Sequence, residues 1–312
     1  MGALDLLPGN LRSDRTSPPL RRSQLKFIPA RLCFDYTSTN SRFGAVTFRQ
    51  QMTDVHTIPG ETATMKIPVS KKFKGMMCAY CVKAKATTDD HVFAREFFTV
   101  EDRQNLPKAP ACPKCNNEKS KFEHYLTAVL PFAGKHPQAA ANLEGGVPGR
   151  LAKNQKLSSE LIGSMRPAWL REEGGLYQQT GIFDFDHAKL EGFLKYVGRG
   201  LAWHHWKVYL RPDDEVSVLL MTDAHSALFA SVTSSWRNVQ RVVGNLGNGT
   251  VQYVGVQAAD PPELTLWTIS MYGGLVLSDD RRKIDGQMQP CSMWWVITGP
   301  NELNEGFNRL KR

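Results

Sequence analysis

Residues 78–119 read CAYCVKAKATTDDHVFAREFFTVEDRQNLPKAPACPKCNNEK, and the meaning of this stretch decides how the rest of the chain is interpreted. Two Cys-x-x-Cys pairs, Cys78/Cys81 and Cys112/Cys115, bracket Asp89-Asp90-His91, and Asn116 follows the last cysteine. Zinc prefers four tetrahedral sulfur or nitrogen ligands, and each Cys-x-x-Cys turn presents two thiolates at a suitable spacing. Four ordinary buried thiols would have no reason to pair twice at one spacing among lysines. Thirty residues, 82–111, separate the pairs, where a compact zinc ribbon uses about 15–20. The surplus must form structure of its own, and it carries polar residues of chemical interest.

Those residues suit the cutting of a phosphodiester. That reaction needs an activated water and relief of the negative charge that develops on the phosphoryl and leaving oxygens. A neutral imidazole can take the water's proton near pH 7, its unperturbed pKa being about 6.5. His91 is the candidate, and the rate should then rise through about pH 6–7 as it loses its proton. A divalent cation held by oxygen ligands can meet the developing charge. Asp90 and Asn116 are the candidate ligands, with Asp89 in reserve because strand pleating puts it on the His91 face.

Taken together, Cys78-x-x-Cys81, Asp90-His91-Val92, Asn105-Leu106 and Cys112-x-x-Cys115-Asn116-Asn117-x-Lys119 resemble the HNH endonuclease family. The likeness covers about 78–126, roughly a sixth of the chain, with the elements in the family's order. It implies a ββα-metal module: a hairpin carrying His91 as general base, then a helix carrying Asn116. By the same resemblance Asp90 and Asn116 hold the catalytic metal, and Asn105 braces the hairpin loop and orients His91. The cysteines hold a separate structural zinc, and Lys119 contacts a phosphate. Asn116 in place of histidine favours magnesium or manganese at the catalytic position. Ala94 departs from the proline that related sequences often carry, without touching this chemistry.

Composition agrees with a nucleic-acid partner, double-stranded DNA by the family resemblance. The chain of 312 residues carries a net charge of +9, which favours a polyanion. Lys66, Lys71, Lys72, Lys74, Lys83 and Lys85 fall within 66–85 with no acid among them. Cys33 and Cys291 read as unpaired thiols. Cysteine usage, the lack of a secretory signal and the lack of a stretch of about 20 apolar residues point to a cytoplasmic chain that does not span a membrane.

Four regions are expected. Residues 1–64, rich in Pro, Ser and Arg, read as a poorly structured extension of transit-peptide-like composition, and Met65 offers an alternative start. Residues 65–135 are the HNH module, with a helix around 117–126 that Pro131 ends or kinks. Residues 136–180 read as a connector with room for short helices. Residues 181–312 read as a C-terminal α+β domain of unassigned role. There Asp186 caps a helix over 187–206, whose stripe is Leu190, Leu194, Val197 and Leu201. Strands follow at 216–221, 251–256, 264–270, 274–277 and 293–298, with a turn at Gly247-Asn248-Gly249. His204-His205 and the tryptophans read as packing residues. The fold class is therefore α+β, with a small module clipped by four cysteines ahead of a larger half. The rival to a cutting enzyme is a zinc-binding nucleic-acid adaptor that no longer cuts; an RNA-directed nuclease is a third possibility.

Overall fold

The structure, a computed structural model, describes residues 30–35, 72–171, 177–211, 213–221, 233–234, 236, 239–275, 277–278 and 293–300. A first strand, Ala30–Asp35 (β1), precedes a hairpin of Thr88–His91 (β2) and Lys108–Ala111 (β3). The helix Pro113–Val129 (α1) follows the hairpin directly, then shorter helices Pro137–Glu144 (α2), Gly146–Lys153 (α3) and Gln155–Ser164 (α4). Strands Arg166–Arg171 (β4) and Tyr177–Phe185 (β5) lead into the long helix His187–Trp206 (α5). The remaining strands are Asp214–Met221 (β6), Gln240–Leu246 (β7), Val251–Gln257 (β8), Thr265–Met271 (β9), Leu277–Ser278 (β10) and Met293–Pro300 (β11).

These strands form three antiparallel sheets, ordered β10-β1-β5-β4, β6-β11-β9-β8-β7 and β2-β3. In β11 the run Trp294-Trp295-Val296-Ile297 is buried throughout. The pleat sends Trp294 and Val296 into the main core and Trp295 and Ile297 into a smaller cluster with Leu219, Leu264 and Leu266.

Helix α5 begins where the sequence places it. The Asp186 carboxylate accepts the Lys189 amide at 3.3 Å, satisfying one of the helix's open donors. It ends at Lys207, which takes a left-handed φ of 59°. Two glycines let its neighbours approach. A Cβ at Gly192 would lie 2.7 Å from the Phe122 ring, and one at Gly198 would lie 2.6 Å from Val296. Phe122 belongs to α1 and Val296 to β11, so α5 is held between the hairpin–helix unit and the five-stranded sheet. The Tyr125 hydroxyl accepts the Asp186 amide at 2.8 Å, and Phe193 meets Phe97 edge-on with centroids 5.7 Å apart.

This packing revises the expected regions. One hydrophobic cluster runs from Phe73 to Val296 and takes in both the hairpin–helix unit and the C-terminal half. The boundary near 181 is therefore not a packing boundary, because neither side covers its apolar face alone. Residues 136–180 are mostly regular structure, since Leu151, Leu157 and Leu161 give α3 and α4 apolar faces that join the same core. Strand β1 falls inside the stretch read as a poorly structured extension. Its alternation of Ala30, Leu32 and Phe34 is short, and pairing with β5 is what makes it a strand. The rest of 1–71 lies outside the described residues, as do Cys291, Lys66 and Lys71. The strand expected at 274–277 is displaced to Leu277–Ser278, because Tyr272, Gly273 and Gly274 all take positive φ and form a turn. Among the described residues no helix is long and apolar enough to cross a membrane.

A shared core predicts shared unfolding. Phe193 is fully buried, and Phe193→Ala should cost about 3–5 kcal/mol. Tryptophan fluorescence reports the C-terminal half, and far-ultraviolet dichroism reports all helices. The two should give one coincident denaturant transition in wild type and variant alike, whereas two separated transitions would show independent domains.

Candidate metal centre and the polar site beside it

The two cysteine pairs sit on turns that the backbone itself enforces. In the first knuckle the Val82 amide donates to the Cys78 carbonyl at 3.0 Å, and Val82 takes φ 51°. The Ala79 amide donates to the Pro110 carbonyl at 2.9 Å, which ties that knuckle to β3. Cys112 occupies the N-cap of α1 with Pro113 next, so Cys115 returns within the first turn. The four sulfurs all lie within 4.8 Å of one another, Cys81 and Cys112 being 3.9 Å apart. A tetrahedral ion with sulfur at about 2.3 Å spaces its ligands about 3.8 Å apart, so the group has the size of a one-ion site. Among the described residues no other group of three or more His, Cys, Asp and Glu could hold a metal.

Without a metal two of these thiols, Cys78 and Cys115, resist ionisation. Burial raises Cys78, and burial followed by the charge of Cys78 raises Cys115 further. Burial also opposes ionisation of Cys81, but hydrogen bonds from the Lys83 and Ala84 amides and from Cys78 and Cys115 together outweigh it and bring this thiol down to about 7. An ion bound here must displace protons, so its occupancy falls as the pH drops.

The pleat of β2 separates the two aspartates. Asp89 Oδ1 accepts the Phe73 amide at 3.0 Å, a structural cap. Asp90 faces α1, where its Oδ2 accepts the Tyr80 hydroxyl and pairs with Lys119 Nζ at 3.0 Å. Lys119 also donates to the His91 carbonyl at 2.6 Å and to the Glu123 carboxylate. Its side chain is 0% exposed. The phosphate contact expected of Lys119 is thus corrected: its three N–H donors point inward to three acceptors, as a buried ammonium requires.

His91 ends β2 opposite Lys108. Its ring is half-buried and, among the described residues, makes no hydrogen bond. Burial, then the positive charges of Lys108 and Arg95, lowers its pKa to about 4. Imidazole is therefore neutral well below the pH 6–7 range expected from its unperturbed value. Asn116 lies in the first turn of α1, one turn before Lys119 and on the same face. Its amide nitrogen belongs to the helix ladder, bonding the Cys112 carbonyl at 3.0 Å.

Asn105 sits in the hairpin loop as expected, but in an exposed left-handed turn with φ 56°. Among the described residues its side chain makes no hydrogen bond, so the bracing role assigned to it is not found. Asparagine tolerates this backbone conformation, which accounts for its presence. The loop is held instead by residues far along the chain. The Phe97 carbonyl accepts from Asn142 and from the Tyr272 hydroxyl, each at 3.0 Å. The Thr99 amide donates to Gln138 at 2.9 Å. His204 Nδ1 lies 3.2 Å from the Lys108 amide and 3.0 Å from its carbonyl and bonds one or the other according to its tautomer, which fixes β3 to the end of α5. Nothing local in the sequence marks these anchors. Tyr80 had a local signal, since it lies inside the first knuckle beside the aspartates. His204, His205, Trp267, Trp294 and Trp295 are packing residues, as the sequence suggests.

Compared with known proteins, the chain matches no family model, no curated protein and no solved structure.

Burial pushes Glu123 up from 4.5 to about 7, with Lys119 pulling it down and Asp90 pushing it up. A carboxyl with a raised folded-state pKa binds its proton more tightly when folded, so stability is lost as pH rises between about 4.5 and 7. Glu123→Gln removes that charge and keeps the shape. It should raise the melting temperature at about pH 8 and change it little at about pH 5. A variant less stable than wild type at pH 8 would mean that pairing with Lys119 outweighs burial.

Proposed function

We propose that this chain is a nuclease of the HNH type. In this reading zinc held by Cys78, Cys81, Cys112 and Cys115 fastens the hairpin to α1, and His91 is the general base of phosphodiester hydrolysis. The observation that carries it is the state of His91. A base must be unprotonated and free of competing donors, and this ring is neutral near pH 7 with no hydrogen bond among the described residues. His91 takes the proton from water as the oxygen attacks phosphorus. The 3′-oxygen leaves and is protonated from solvent, giving 5′-phosphate and 3′-hydroxyl ends. A divalent cation supplies charge stabilisation at the phosphoryl and leaving oxygens when bound. The residues that would hold it are Asp90, through Oδ1, and Asn116. Asp90 Oδ2 is committed to Tyr80 and Lys119, and so small a donor set suits magnesium or manganese, which keep several waters.

One observation favours a second reading, a zinc-clipped nucleic-acid adaptor that does not cut. The charge of Asp90 is already met by the Lys119 ammonium, so the site is electrostatically satisfied without a second cation. Incubating purified protein with supercoiled plasmid DNA and with single-stranded RNA, in magnesium, in manganese and without added cation, separates the readings.

For the nuclease, His91→Ala should slow cleavage by about 10²–10⁴-fold. Because His91 is lowered to about 4, kcat/KM, which reports the free enzyme, should be flat between about pH 6 and 8. Equal rates for variant and wild type, with contaminating nuclease excluded, would remove His91 from the mechanism. The zinc assignment is checked separately by elemental analysis. About one zinc per chain is expected, falling sharply in Cys112→Ser, because each thiolate supplies a quarter of the coordination.

A further inference from the structure

We infer that the groove between the two cysteine knuckles and α5 is a binding site for the phosphate backbone of a nucleic-acid strand. It is a cavity of about 510 Å³ whose charged walls are Lys83, Lys114, Lys195, Arg199, Arg211 and Glu118. Five cations face one acid, and that acid accepts a hydrogen bond from Tyr196 at 3.0 Å. The cations differ in what already holds them. Arg211 pairs with Glu263 at 3.3 Å and Lys195 with Glu191 at 3.1 Å. Lys83, two residues past the first knuckle, and Lys114, inside the second, are exposed and, among the described residues, pair with no carboxylate. Arg199 is half-buried and donates to a single backbone carbonyl, that of Asp214 at 3.4 Å. Its remaining N–H groups are not sealed from solvent and could add charge-assisted bonds to an anionic oxygen in the groove.

A zinc ion with four thiolates carries two negative charges, and Glu118, Glu191 and Glu263 bring the local total to five, equal to the five cations. The attraction for phosphate is therefore local to Lys83 and Lys114, which no carboxylate holds among the described residues. Because the walls come from both knuckles and from α5, phosphates would contact the hairpin–helix unit and the C-terminal half together. The inference rests on the proposed nucleic-acid partner and gives α5 a part in holding it.

The test uses the full-length, zinc-loaded chain with His91→Ala, so that cutting is slow over the titration, and a fluorescent 20-nucleotide DNA, single- and double-stranded, without added magnesium. Anisotropy titrations at 50 and 200 mM salt compare this protein with Lys83→Ala/Lys114→Ala and with a control, Lys153→Ala/Lys156→Ala. Each phosphate contact contributes about 0.9 to the salt slope, so losing two should shrink the affinity lost across that fourfold salt range by about tenfold. The expected result is weaker, less salt-dependent binding for the groove variant only, with zinc content unchanged. Unaltered affinity and slope would overturn the groove while leaving the nuclease reading to its cleavage assay. Loss of zinc together with affinity would overturn it too, by showing that the lysines serve the metal. Equal competition by inorganic phosphate and by unlabelled strand, at matched phosphate and ionic strength, would assign the groove to a free anion instead. If the protein binds neither DNA form nor a matching RNA, both the groove and the nucleic-acid partner fall.

Discussion

Helix α5 has no solvent-facing role that would let it stand alone, because most of its circumference is claimed by neighbours. Phe122 and Tyr125 of α1, the hairpin loop through Phe97, and β11 through Val296 all pack on it. Close approach is possible only because Gly192 and Gly198 carry no Cβ. Interiors are packed as tightly as organic crystals, so a displaced helix here could not be absorbed by small adjustments. The geometry of the metal centre is tied to the same constraint, since Cys112 and Cys115 ride on the N-terminus of α1 and His204 of α5 pins β3.

Within that frame Lys119 decides what the polar site can be. One buried ammonium satisfies Asp90, Glu123 and the His91 carbonyl, joining β2 to α1 by electrostatics; the four cysteines, which could hold a metal ion, lie beside this link. An ion pair so placed contributes little net stability, because the cost of taking both charges out of water offsets most of their attraction. It also sets the strand end from which the His91 ring projects. The same burial that keeps the ring neutral lowers its basicity. A proton acceptor of this kind gains availability at the expense of driving force.

Two electrostatic regions then divide the work of the hairpin–helix unit. The internal one, around Asp90, is balanced. The groove beside the cysteine knuckles gathers five cations, two of them from α5, and of the five Lys83 and Lys114 are exposed and pair with no carboxylate among the described residues.

Features governed by neighbours in sequence were legible in it. The paired Cys-x-x-Cys spacing anticipated the four-sulfur cluster, because each knuckle is a local turn. The Asp186 cap and the Leu190-Leu194-Val197-Leu201 stripe located α5 at 187–206, since capping and helical periodicity act over one or two turns. The strands rich in tryptophan and valine were equally plain. The edge strand β7 was not, because most of its residues stay exposed and it lacks a buried alternation. Tertiary structure alone decided the rest. It turned Lys119 inward, gave Asp89 to Phe73 and Asp90 to Lys119, left Asn105 outside the bracing of its loop, and moved the His91 titration down. It also drew Tyr272 across 175 positions to the Phe97 carbonyl. Burial and partner choice are properties of the assembled core, and a chain read one turn at a time does not contain them.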